Sequence, residues 1–118
     1  MQETQALAAL SALAQETRLR IVRLLVAAGP EGMAAGAIGE SVDAASSRLS
    51  FHLSHLEQAG LIQSRREGRS IRYAAEFGAL SALIGFLMRD CCQGRPEICA
   101  PIATALATRA CAPTEPTA

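Results

Sequence analysis

Ser46-Ser47-Arg48-Leu49-Ser50-Phe51-His52-Leu53-Ser54-His55-Leu56-Glu57-Gln58, followed by Ala59-Gly60-Leu61-Ile62, decides how this chain is read. At 100° per residue, Leu49, Leu53 and Leu56 fall on one side of a helix, with His52 at the edge of that seam. Ser47, Phe51, Ser54 and Gln58 fall opposite, flanked by Ser50 and His55. The pattern predicts a helix over 46–58, ended at Gly60 by a residue free to turn left-handed. Working back, Asp43-Ala44-Ala45 reads as a tight turn and 34–41 as a short helix weakened by Gly36 and Gly39. Gly29-Pro30-Glu31-Gly32 stops a longer helix capped at Thr17, with Ile21, Leu24, Leu25 and Ala28 as its stripe. Ala6, Ala9, Leu10 and Leu13 lie at steps of 0, 3, 4 and 7, one face of a first helix.

Working forward, Leu61–Arg66 and Arg69–Ala74 read as two strands with Glu67-Gly68 as their turn. Ile62 and Ser64, like Ile71 and Tyr73, lie two apart, so each strand keeps one packing face. A fifth helix follows, with Leu80, Leu83, Ile84 and Leu87 at 0, 3, 4 and 7, stopped by Gly94 and Pro96. The expected fold is mostly α with a small β-hairpin: a winged helix-turn-helix.

Charge points the same way. The formal net charge is zero and lysine is absent, but the charge is unevenly spread. Residues 45–75 carry Arg48, Arg65, Arg66, Arg69 and Arg72 against Glu57 and Glu67. A cationic segment on a helix-turn-helix is the electrostatic footprint of a nucleic-acid reader. In that motif the first turns of the second helix do the reading, and small hydroxyl residues let a helix sit close in a major groove. Ser46, Ser47, Arg48, Ser50, Phe51, Ser54 and His55 are therefore the candidate contacts on the helix. Arg65, Arg66, Arg69 and Arg72 are the candidates on the hairpin, reaching phosphate or the minor groove. Phe51 either touches thymine methyls or packs on the third helix. His52 reads as a packing histidine. The competing view of the hairpin is a solvated edge strand guarded by charge.

The length of 118 residues suits one domain, and half the residues are apolar, so a core is available and dimerisation can cover surplus surface. No apolar run approaches a membrane span, and Met1-Gln2-Glu3-Thr4-Gln5 lacks the basic start of a secretion signal. A cytoplasmic protein is expected, where thiols stay reduced. That gives weight to Cys91, Cys92 and Cys99, three of the four cysteines, within nine positions. Thiolates are soft ligands, and such a cluster suits a thiophilic ion. Gly94 and Pro96 break the helix after the pair, so the chain can bring Cys99 back over it. By its chemistry alone the cluster is open to trivalent arsenic or antimony, to a disulfide redox switch, and to zinc with Cys111 as fourth ligand. Cys111, in a Pro/Thr-rich tail, reads otherwise as a bystander. No Cys-x-x-Cys lies beside a βαβ pattern and no Ser/His/Asp set has supporting context, so an enzyme is not expected.

With these residues in view, the chain resembles the ArsR/SmtB family of winged-helix repressors over roughly residues 5–92. The resemblance lies in Ala14-Gln15-Glu16-Thr17-Arg18-Leu19-Arg20-Ile21-Val22-Arg23-Leu24-Leu25, in Ser50–Ile62, and in Arg65-Arg66-Glu67-Gly68-Arg69 with Tyr73. It implies a homodimer joined through the first and fifth helices, by Leu7, Leu10, Leu80, Leu83, Ile84 and Leu87. It also implies an apo form bound to operator DNA and released by an inducer. The family's Cys-x-Cys arsenic site on the third helix is absent, since 33–40 contains no cysteine, and the fifth helix lacks the Asp/His ligands of zinc sensors. Cys91, Cys92 and Cys99 resemble the cluster of family members that sense arsenite at the end of the fifth helix. The expected division is a DNA-binding and dimerisation domain over 1–93 and a tail over 94–118 that completes the inducer site.

Overall fold

The structure, a computed structural model, describes residues 1–88. Its elements run α1 (Glu3–Leu13), α2 (Glu16–Ala28), β1 (Met33–Ala34), α3 (Ala35–Val42), α4 (Ser46–Gln58), β2 (Ile62–Glu67), β3 (Ser70–Ala75) and α5 (Phe77–Met88). The strands form one antiparallel sheet in the order β1-β3-β2. Residues Met1–Phe86 make one compact unit; the second, Leu87–Ala118, has only 87 and 88 among the described residues.

α4 has the predicted bounds, with Leu49, His52, Leu53 and Leu56 buried. Its end is a Schellman motif. Gly60, at φ 81°, donates to the Glu57 carbonyl at 3.0 Å and Leu61 donates to Leu56 at 3.0 Å, so two orphan carbonyls are satisfied. Leu56 and Leu61 are both fully buried, and Glu76 donates to Leu61 at 2.8 Å, which closes the root of the hairpin. α4 and the hairpin are thus joined through one rigid corner.

Four expectations change. α2 is capped by Gln15, not Thr17: Gln15 is extended, and its side chain accepts from the Arg18 amide at 2.8 Å. α1 buries Ala6, Ala9 and Ala12, so the expected face of Ala6, Ala9, Leu10 and Leu13 keeps its alanines while Leu10 turns outward with Leu7. Alanine lets α1 approach α2 and α4 closely, and the leucines are left over. On α5 the expected stripe is split. Leu83 is only 5% exposed and belongs to the chain's own core, and Leu80 packs against that core, whereas Ile84 and Leu87 face outward. Leu83 is therefore corrected from an interface residue to a core residue. Finally, the hairpin turn is Gly68-Arg69, one residue later than predicted, because Glu67 pairs with Ser70. Only Gly68 has positive φ, at 60°, which is the demand of a turn that takes glycine first.

Candidate nucleic-acid interface

The outer face of α4 is as expected. Ser46, Ser47, Arg48, Ser50, Phe51 and Ser54 are exposed and His55 is half-buried. Among the described residues, the hydroxyls of Ser46, Ser47, Ser50 and Ser54 and the guanidinium of Arg48 have no side-chain hydrogen bond within the chain and are available to a ligand. Phe51 does not pack on α3. It is 64% exposed, with its ring set edgewise to His52 (5.7 Å) and His55 (6.2 Å). An open groove of about 830 Å³ separates this helix start from the wing. Ser46 and Ser50 line one bank, Arg69, Ser70 and Ile71 the other, with Gly36 and Gly39 of α3 beneath.

The wing arginines divide into two pairs with different jobs. Arg65 and Arg72 face each other across the strands. Two like charges in that register repel unless something intervenes. Arg65 Nε meets Glu67 at 3.0 Å, and both guanidiniums donate to the Glu31 carbonyl, at 3.2 and 3.0 Å. Arg72 also donates to the Gly32 carbonyl at 2.9 Å. Arg65 and Arg72 thus tie the wing to the loop before β1, so their guanidiniums have a positioning role within the chain. Arg66 and Arg69 make no hydrogen bond or ion pair among the described residues and stand exposed near the tip. The signal that separates the pairs was present in the sequence. Strand alternation puts Arg65 and Arg66 on opposite faces, so four arginines never made one patch.

His52 holds α4 from its buried side. Arg18 is buried in the first turn of α2; its Nε donates to the Ala12 carbonyl at 2.7 Å and an Nη lies 3.2 Å from His52 Nδ1. Arginine only donates, so Nδ1 must accept and the ring proton sits on Nε2. One guanidinium thus links the end of α1, the start of α2 and the middle of α4. Burial lowers the His52 pKa from 6.5, aided by the charges of Arg18, Arg48 and His55. The sign follows directly. As pH falls below about 6.5 the unfolded chain takes up a proton that the folded chain resists, so stability drops until pH passes the lowered folded value. Thermal melts between pH 7 and 5 should show this loss, and His52→Gln, which keeps an acceptor, should remove its His52 component. An identical pH slope in that variant would show that the pair is not coupled to folding.

These features match known proteins. A helix-turn-helix domain family matches residues 13–65. The homodimeric winged helix-turn-helix DNA-binding domain of Mb0332 from Mycobacterium bovis, a possible ArsR-family regulator, is 32% identical with a TM-score of 0.59, over 74% of this chain and 81% of that one. The chain belongs to the ArsR family. The transcriptional activator HlyU of Vibrio cholerae is 30% identical over 75% of this chain and 80% of its own length. Nodulation protein NolR of Rhizobium meliloti is 38% identical over 66% of this chain; the chain spans 62% of that protein's length. The family is one of DNA-binding transcriptional regulators, in keeping with the exposed hydroxyl face of α4.

Cys91, Cys92 and Cys99 lie outside the described residues. Among the described residues no three of His, Cys, Asp and Glu come together as a metal site, and no helix is long and apolar enough to cross a membrane.

Proposed function

We propose that this chain is a cytoplasmic, homodimeric repressor that binds operator double-stranded DNA and lets it go when trivalent arsenic binds Cys91, Cys92 and Cys99. Antimonite is an alternative inducer of the same chemistry. The observation that carries the DNA half is the exposed, uncommitted hydroxyl face of α4 beside the two unpaired arginines of the wing. The inducer half rests on the sequence: three soft ligands in nine positions, the first three places past Met88. Trivalent arsenic takes three thiolates in a pyramid, and its lone pair fills the fourth direction.

Dimerisation is supported by the apolar side chains that the chain leaves in water. Leu7 is 58% exposed and Ile84 45%, with Leu10 and Leu87 beside them in the same class. Two half-sites of an operator lie about one helical turn apart, so a small change in the spacing of the two reading helices is costly. A coupling of about 1–3 kcal/mol is enough for release.

The test is a gel shift on the DNA upstream of the protein's own gene, with and without arsenite. Cys91→Ser and Cys92→Ser should still bind DNA but stay bound at arsenite levels that free the wild type. Cys99→Ser should impair release by arsenite, and Cys111→Ser should be silent. X-ray absorption on the arsenic-loaded protein should give three sulfurs and no light atoms in the first shell. Wild-type release by Cys91→Ser moves the inducer site elsewhere and leaves the DNA half standing.

The wing can be tested separately. Arg66→Ala and Arg69→Ala should weaken binding to all duplexes and flatten the plot of affinity against salt by about one counterion each. Arg72→Ala should instead lower the melting temperature, since it removes the bonds to Glu31 and Gly32. A salt slope unchanged in both tip variants rules the wing out as a phosphate contact.

A further inference from the structure

Phe51 is more exposed than any other large apolar side chain among the described residues. It lies mid-helix on the face otherwise built from Ser47, Ser50 and Ser54, and no side chain of α3 covers it. His52 and His55 meet its ring edge-on, at 62° and 74° between planes, and one of those imidazoles is itself fixed by Arg18. The phenyl ring is therefore propped in one place rather than loosely exposed. A ring held in water on a reading face has an energetic reason only if the ligand covers it.

The major groove offers little to an apolar ring. Three of the four bases present only hydrogen-bonding groups and C–H edges there; thymine presents its C5 methyl. Phenyl neither donates nor accepts a conventional hydrogen bond, so it gains nothing from adenine, guanine or cytosine edges and deprives their polar groups of water. The flanking serines, at one turn before and one turn after, are free to bond to neighbouring base edges or phosphates.

We infer that Phe51 is a specificity-determining residue of the reading helix, and that it selects a thymine in each operator half-site by contact with the C5 methyl. This rests on the DNA-binding reading above and names the chemistry of the sequence it prefers. Burying one methyl against the ring is worth about fourfold in affinity, so two half-sites give about fifteenfold.

The experiment separates the two readings. Wild-type protein is used to select duplexes from a random pool, and each selected thymine is then replaced by deoxyuridine. That change removes the methyl and keeps both the pairing and the O4 acceptor. The expected result is one thymine per half-site whose replacement in both half-sites weakens wild type about fifteenfold. Phe51→Ala and Phe51→Ser should bind the thymine and deoxyuridine duplexes alike, with an unchanged circular-dichroism melt because the side chain is exposed. Wild type that selects a sequence but ignores every deoxyuridine overturns the Phe51 inference alone, as does Phe51→Ala that keeps the discrimination. Wild type that selects no sequence overturns both readings.

Discussion

Gly32→Ala should melt well below wild type, by about 10 °C or more, and should unseat the wing. Gly32 sits between α2 and β1 at φ 71°, where an L side chain costs about 1 kcal/mol before any contact is counted. A Cβ there would overlap the Tyr73 carbonyl oxygen and lie 2.8 Å from its carbon. Both groups are backbone, so no rotamer change relieves the clash. Tyr73 is paired with Met33 and Ser64, and the Gly32 carbonyl is one of the acceptors that hold Arg72. Strand β1 must therefore move away from β3, and the clamp on Arg65 and Arg72 goes with it. Together these effects are expected to cost about 2–4 kcal/mol, at about 4–8 °C per kcal/mol for a unit of this size. Gly29→Ala and Gly60→Ala are the controls. Both positions have positive φ, 83° and 81°, but nothing lies near the added carbon, so only the backbone penalty applies. A Gly32→Ala melt within about 2 °C of those controls would mean that the loop does not support the wing as described.

The contrast between α4 and its neighbours shows what the sequence makes legible. In α4 the two faces differ in chemistry, leucine against serine, so periodicity alone placed the bounds, the seam and the candidate reading face. In α1 both faces are apolar, alanine on one and leucine on the other. Hydrophobicity then has almost no direction, and the choice of face is made by size: only alanine allows close approach to α2 and α4. α5 is ambiguous for the same reason, being apolar nearly all round, and Leu83 and Ile84 point to different fates although adjacent. β1 has two residues, too few for any alternation, and exists because β3 offers it an edge. The turn was misplaced by one residue because Gly68 suits either the first or the second position of a two-residue loop. Only the pairing of Glu67 with Ser70 decides.

For the site, side-chain chemistry carried further than geometry. Serines, Phe51 and the tip arginines were legible because an exposed face shows its residue types directly. Strand alternation already separates Arg65 from Arg66, but the clamp on Arg65 and Arg72 leaves no mark in the sequence, because its acceptors are backbone carbonyls 34 to 41 positions away. The same holds for Arg18 and His52, which are 34 apart. The histidine's place beside the leucine seam gave its packing role, and the partner that fixes its tautomer came only with the fold.

Ile84→Arg should abolish dimerisation and operator binding while the chain itself stays folded, and Leu10→Arg should do the same. Both side chains are already exposed in the single chain, so an arginine there can reach water and need not disturb the core. In a two-fold interface each substitution appears twice, and each unpaired buried charge costs about 3–5 kcal/mol. That is enough to move a nanomolar dimer beyond micromolar concentrations. A monomer reaches one half-site only, so operator affinity should fall at least a hundredfold, with the melt little changed once dilution is allowed for. Leu83→Ala, one residue from Ile84, supplies the contrast. Leu83 is buried within the chain, and its truncation should cost about 2–5 kcal/mol of intrinsic stability whether or not a partner is present. Sedimentation and melting over a range of protein concentrations distinguish the two. The Ile84→Arg melt should be independent of concentration, whereas the Leu83→Ala melt should be lowered and still rise with concentration as wild type does. A wild-type chain that sediments as a monomer while bound to its operator, or an Ile84→Arg chain that still pairs, would place the contact surface away from these exposed leucines and isoleucine. The reason for their exposure would then have to be sought in a different partner.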